Sequence, residues 1–325
     1  MHIPDNYLSP STCTVFGLAM MPVWFVALKK VKKEISAKKI PTLGVFAALS
    51  FLIMMFNIPL PGGTTGHAVG STLIAILIGP FAACISVTIA LFVQAVFFGD
   101  GGVLVFGVNC FNMAFLMPFT GYFLYRLFKV LFGDNKSSNF ISVFIASYIS
   151  LNIAALVAAI QFGIQPLLFN DSLGHPIYSP YPLSISIPAM MLPHLLMAGI
   201  LEGLISVGVF SYLNKMESQI IYANKPNRIT PVYGLLLLMI LLSPLGLVAS
   251  GTAWGEWGNH ELEKMLGFLP VGISNGFSFK AIIPDYTIPL IQNRSLAYVI
   301  SALFGVAIII IFSKLISSNS SKTSK

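Results

Sequence analysis

The first two residues already offer a metal chelate. The α-amine of Met1, the backbone amide nitrogen of His2 and the near imidazole nitrogen of His2 can close successive five- and six-membered rings around one ion. The set is nearly planar. Once a metal displaces the amide proton, one further nitrogen completes a square, the arrangement preferred by Ni(II) and Cu(II). The candidate fourth ligand is His67, in PLPGGTTGHAVG. Gly62, Gly63 and Gly66 let such a loop approach another backbone closely, and Pro4 fixes its own φ just after the chelating pair. The scheme requires that Met1 be retained, and a bulky second residue such as His blocks its removal. Spacing alone also fits an incidental terminal histidine and an ordinary glycine turn.

Other polar groups in apolar surroundings are few, and each is a functional candidate for that reason. His194 and Glu202, the one carboxylate within a span, stand about 80° apart on a continuous helix and can share a broad face. Internal hydrogen bonding is the favoured role for both, because four nitrogens already complete the square. Asp100, Asn109 and Asn112 fall at the end of one apolar run, where they can orient a ligating imidazole, close the site or cap a helix. Met54, Met55, Met190 and Met191 read as core packing, and Cys13, Cys84 and Cys110, with no CxxC spacing, as small packing residues. His175 and His260 read as solvated loop residues, and Trp254 and Trp257 as interfacial anchors. Gly44 and Ala48 form a small-xxx-small pair suited to close helix contact, within the bundle or with a partner membrane subunit.

The elements that must position these groups are membrane helices. Only 9% of the 325 residues are charged, against about 25% in an ordinary soluble domain. With a mean hydropathy of +0.85, a soluble, disordered or fibrous chain is excluded and an all-α polytopic membrane protein is expected. Apolar segments lie at about 11–28, 41–60, 68–79, 81–98, 103–128, 139–162, 186–213, 231–250 and 296–313, about nine transmembrane helices in all. The third is short, and Gly79-Pro80 divides it from the fourth.

Charge orients these spans. With the N-terminus outside, all of the 18 Lys and Arg except Lys264, Lys280 and Arg294 fall on the cytoplasmic side. The net charge of +7 thus reflects topology rather than nucleic-acid binding. Residues 1–213 read as a seven-span domain, 214–230 as a cytoplasmic linker, and 231–325 as a two-span hairpin with a large outside loop and a polar, irregular tail, SSNSSKTSK. MHIPDNYLSPST lacks the basic leader and apolar core of a cleavable signal, so the mature chain is expected to begin at Met1.

Several segments together carry a family resemblance: MHIPDNYLSP, PLPGGTTGHAVG, FFGDGGVLVFGVNCFNMAFLMP, PHLLMAGILEGLIS, SGTAWGEWG and IPDYTIP. Over nearly its whole length the chain resembles the NikM/CbiM substrate-capture subunits of energy-coupling-factor nickel and cobalt transporters, fused to their small accessory partner. The resemblance implies a planar site of Met1 amine, His2 amide and imidazole, and His67 imidazole, with the metal as transported substrate rather than cofactor. It also implies two ATP-binding subunits and one transmembrane coupling subunit as partners, in a prokaryotic cytoplasmic membrane. Nickel members tend to carry Pro-Asp after MHI, as here, which favours nickel over cobalt. The glycine usual at the sixth position is Asn6, which also tolerates the left-handed conformation. No GxxxxGK[ST] motif is present, so the chain is expected to be no enzyme and to draw its energy from other subunits. A secondary transporter or channel is the alternative, but it calls for more polar groups along a midplane pathway than this sequence offers.

Overall fold

A computed structural model describes residues 2–34, 40–133, 135–216, 230–249 and 251–322. Seven helices among them are long and apolar enough to cross a membrane: Pro10–Lys33, Pro80–Phe98, Phe106–Phe132, Lys136–Leu168, Leu183–Lys215, Pro231–Val248 and Arg294–Leu315. The protein is an all-α polytopic membrane protein. Apolar side chains left exposed on its helices, such as Val15, Leu18 and Phe25 on the first and Leu237 and Leu241 on the sixth of these, are suited to lipid.

The nine apolar segments divide into those seven and two shorter helices. α1 (Pro10–Glu34) is followed by α2 (Ile40–Met54), whose 15 residues span about 22 Å. The apolar run expected to continue to residue 60 instead ends in a hairpin of β1 (Ile58–Leu60) and β2 (Thr64–Gly66). α3 (Ser71–Ile78) is only about 12 Å long. It stops at Gly79, whose φ of 87° no helix continues, and Pro80 opens α4 (Pro80–Val93).

Three of the long helices are interrupted by π-helical turns, at Gln94–Phe98 after α4, at Cys110–Leu116 between α5 (Phe106–Asn109) and α6 (Met117–Phe132), and at His194–Ala198 between α9 (Leu183–Pro193) and α10 (Gly199–Met216). Such bulges concentrate at functional sites, and these three carry Gln94, Asn112 and His194. α7 (Lys136–Gly163) packs between α6 and α9, lining the bundle with Ala154, Ala155, Ala158 and Ala159. The short α8 (Gln165–Leu168) turns the chain towards α9.

The linker expected at 214–230 lies outside the described residues, apart from 214–216 and 230 at its ends. Beyond it, α11 (Thr230–Leu242) and α14 (Arg294–Lys322) both pack on α2. Between them residues 251–293 form a long excursion with two short helices, α12 (Asn259–Leu266) and α13 (Val271–Ser274). The polar tail is not irregular throughout: α14 carries it in helical form as far as Lys322, as propagation from a long apolar helix is easier than nucleation. Gly44 and Ala48 are buried in α2, and a Cβ on Gly44 would collide with Ser313 of α14. The small-residue pair makes a contact within the chain, so the expectation of a partner contact there is corrected.

Candidate metal centre

The N-terminal segment reaches the centre of the bundle because three sets of backbone bonds hold it there. Ser9 caps α1, its hydroxyl accepting from Thr12 N at 3.1 Å ahead of Pro10 in the first turn. Residues 2–8 then run back into the protein. Ile3 donates to Asn109 Oδ1 at 2.9 Å, and its carbonyl accepts from Asn109 Nδ2 at 3.0 Å and Gly102 N at 3.1 Å. The Asp5 carboxylate accepts from the amides of Val103, Leu104 and Val105 at 2.7 to 3.3 Å. Burial raises the Asp5 pKa, and these three donors oppose the shift. Neighbouring glycines make room: a Cβ on Gly102 would overlap Asp5, and one on Gly101 would press on His2 and Asn109.

His67 arrives from the other side. The β1–β2 turn takes positive φ at Gly62 and Gly63, 91° and 77°, and the loop does come close to another backbone: a Cβ on Gly251 would lie 2.6 Å from the Gly63 carbonyl oxygen. After β2 the chain turns inward and is pinned by Glu202, whose carboxylate accepts from Val69 N at 2.7 Å and Gly70 N at 3.0 Å, just ahead of α3. This is the internal hydrogen-bonding role favoured for Glu202. Replacing it with leucine orphans two buried amides at about 1–3 kcal/mol each. We expect Glu202→Leu to lower the thermal midpoint by several degrees and to weaken metal capture through displacement of His67.

The two imidazoles meet. His67 Nε2 lies 3.2 Å from His2 Nδ1, with ring centroids 5.0 Å apart and both residues buried. His67 Nδ1 donates to its neighbour's carbonyl, Ala68 O, at 2.9 Å. That bond leaves the Nε2 lone pair directed at His2, as ligation requires. Asp100 Oδ1 lies 3.1 Å from His2 Nδ1, so a carboxylate stands beside the same atom. Burial pushes the His2 pKa down to about 3 and holds that of His67 well below the ordinary imidazole range. Both rings are therefore neutral and able to donate lone pairs. No three His, Cys, Asp or Glu side chains among the described residues form a metal-holding cluster.

Other sequence candidates fall into distinct places. Met1 lies outside the described residues. Asp100 touches the site directly, whereas Asn109 secures the backbone beside His2 and does not bond an imidazole. Asn112 exchanges two bonds with Gln161, at 2.7 and 3.1 Å, and does not join the site. His194 Nδ1 donates to Met190 O at 2.7 Å within its own helix. The shared face inferred for His194 and Glu202 assumed a continuous α-helix, and the π-turn between them shifts that phase. His175 and His260 are exposed, while Trp254 and Trp257 form a partly buried cluster with Tyr181.

The long excursion covers the site, and sequence reasoning missed its polar contacts. Tyr286 donates to Asp100 Oδ2 at 2.6 Å, from a backbone held at φ 56°. Gln94 Nε2 donates to the same oxygen at 3.1 Å. Tyr7 donates to Trp257 O at 2.6 Å, and the Asn6 side chain pairs with the Phe277 backbone through two bonds of 2.8 Å. Asn6 has φ 70°, the left-handed conformation anticipated for it, and its amide adds bonds that glycine cannot make. Burial raises the Glu256 carboxyl to about 7 in the same region. A cavity of about 380 Å³ opens between these layers, lined by Asp5, Asn6, Gly101, Trp257, Asn259 and Ser274 among others.

The chain is similar to known proteins. The family model described as "Cobalt uptake substrate-specific transmembrane region", CbiM, matches residues 2–220, and a PDGLE domain matches residues 229–321. A Lactiplantibacillus plantarum protein named "Probable fused nickel transport protein LarMN" is 47% identical over 96% of each chain. The "Fused nickel transport protein NikMN" of Rhodobacter capsulatus is 41% identical over 95% of each. A crystal structure described as that of a transition metal transporter shares 48% identity with a TM-score of 0.64, covering 73% of this chain and 99% of its own. The chain that brings His2 and His67 together belongs to the CbiM family and carries a PDGLE domain at its C-terminal end.

Proposed function

We propose that this protein captures Ni(II), with Co(II) as a second substrate, through a planar site of Met1 amine, His2 amide and imidazole, and His67 imidazole. The observation that carries this reading is the 3.2 Å separation of His2 Nδ1 and His67 Nε2. Neighbouring corners of a square with metal–nitrogen bonds of about 2.0 Å lie about 2.8 Å apart, so little movement is needed. The Asp100 carboxylate then offsets the single positive charge that remains after the amide proton leaves. The names of the fused nickel transport relatives support the choice of metal.

Transport follows from the setting. The N-terminal end of the bundle faces outward, by the distribution of Lys and Arg, in a prokaryotic cytoplasmic membrane. The chain acts as the metal-binding subunit of an energy-coupling-factor importer, with two ATP-binding subunits and one transmembrane coupling subunit supplying energy and reorientation. Ni(II) titration of the purified protein, followed by absorbance and calorimetry, tests the site. His67→Ala is expected to weaken binding by more than about 100-fold, because losing a group that merely orients a ligand already costs about 10–100-fold. His175→Ala and His260→Ala, at exposed positions, are expected to leave it unchanged. Equal losses in all three would remove His67 from the site.

A further inference from the structure

Two buried atoms on neighbouring side chains at the site make no hydrogen bond: Nε2 of His2 and Oε1 of Gln94. Gln94 is fully buried and opens the π-turn after α4. Its Nε2 lies 3.1 Å from Asp100 Oδ2 and 3.3 Å from the Tyr286 hydroxyl. This fixes the amide's orientation, because a reversed amide would set its oxygen against a carboxylate oxygen. The oxygen is therefore the atom Gln94 has left for the His2 ring, which lies beside it.

The ring proton gives that pairing a purpose. His2 Nδ1 faces two acceptors, Asp100 Oδ1 and the lone pair of His67 Nε2, so in this arrangement Nδ1 carries the proton. Chelation together with the His2 amide uses that same Nδ1. The ring can bind metal only as the other tautomer: Nδ1 gives up its proton and Nε2 takes one from water, with no net change on the imidazole. A buried N–H on Nε2 then needs an acceptor.

We propose that Gln94 is a positioning residue for metal capture, its Oε1 accepting the Nε2–H of His2 and so selecting the tautomer that presents Nδ1 to the metal. The inference rests on the four-nitrogen reading above. It adds a residue that makes no bond to the metal and acts only through His2.

Square-planar Ni(II) is diamagnetic, so imidazole protons of the loaded protein are visible by NMR with nitrogen-15 histidine. The His2 signal, assigned by its loss in His2→Ala, is expected to show a proton on Nε2 that exchanges slowly with water. Gln94→Leu is expected to weaken Ni(II) binding about 10–100-fold and to make this proton exchange quickly. Gln94→Glu keeps an acceptor oxygen and should restore slow exchange. If the leucine variant does not fold, Gln94→Asn, with the oxygen withdrawn by one methylene, carries the same expectation. Unchanged affinity and unchanged exchange in Gln94→Leu or Gln94→Asn would overturn the role of Gln94 while leaving the square intact. A wild-type Ni(II) complex that is paramagnetic would overturn both.

Discussion

Acetylating the terminal amine of Met1 is expected to weaken Ni(II) binding by more than about 100-fold and to remove the square-planar absorbance band. An acetylated nitrogen has lost the basic lone pair that begins the chelate, while the fold beyond Ile3 keeps every bond that seats it. The loss should exceed the 10–100-fold cost of removing an orienting partner. The measurement is a Ni(II) titration of acetylated against free protein, with circular dichroism to verify the helices. Adding one alanine ahead of Met1 is a different experiment. Histidine then stands third, where an amine, two amides and an imidazole can close a square without His67. Binding by the acetylated protein at full strength would take the terminus out of the site and return attention to His194 and Glu202.

The second large effect is on pH dependence. Each bound metal displaces the proton of the His2 amide and, below about pH 7.7, one from the terminal amine as well. The imidazoles add none between pH 5 and 7, because burial keeps them neutral there. The logarithm of the binding constant should therefore rise by about two per pH unit, roughly 10⁴-fold across that range. With imidazole pKa values near the ordinary 6.5, the slope would steepen towards four at the acid end. A slope of four would show that the rings titrate normally, and a slope near zero would remove amine and amide from the ligand set. The same burial bears on stability. Both histidines have folded pKa values below the unfolded value, so the unfolded chain binds more protons below about pH 6.5. Stability is complete above that pH and is lost progressively as the pH drops towards 3, where the folded rings take up protons.

Asp5 offers a smaller effect. Asp5→Ala frees the amides of Val103, Leu104 and Val105 and loosens the seat of the terminal segment. Weaker capture by about 10-fold, with the square-planar band retained, is the expected titration result. A lost band would mean that Asp5 does more than hold the segment in place.

His2, His67 and Asp100 were legible in the sequence because few polar groups occur in so apolar a chain, and a terminal histidine has a chemistry of its own. Gln94, Asp5 and Tyr286 were not, since their importance lies in contacts that local pattern does not encode. The Tyr286 hydroxyl meets Asp100 across 186 positions of sequence. Hydropathy located every long helix but misjudged two details for physical reasons. It ran α2 on to residue 60, because the residues of β1 are as apolar as a helix face. It also could not register the π-turn after Pro193, which changes the angle between His194 and Glu202 from the roughly 80° of a continuous helix. The backbone of Asn6 was anticipated from the glycine usual at that position in the family it resembles and from asparagine's tolerance of the left-handed conformation, and its bonds to Phe277 were not.

The distant origin of the bonds on residues 6–9 has a consequence for biosynthesis. Tyr7 waits for Trp257, 250 residues later, and Asn6 for Phe277, 271 residues later. At a translation rate of roughly 5–20 residues per second, the opening segment emerges on the order of 10–50 s before its last partners exist. Helices α1 to α10 can assemble in that interval, but the terminal histidine gains its cover only when the end of the chain has been made. The first residues synthesised are among the last to be enclosed, so a ribosome stalled before residue 257 leaves a bundle in which the segment around His2 lacks the contacts that Trp257 and Phe277 supply.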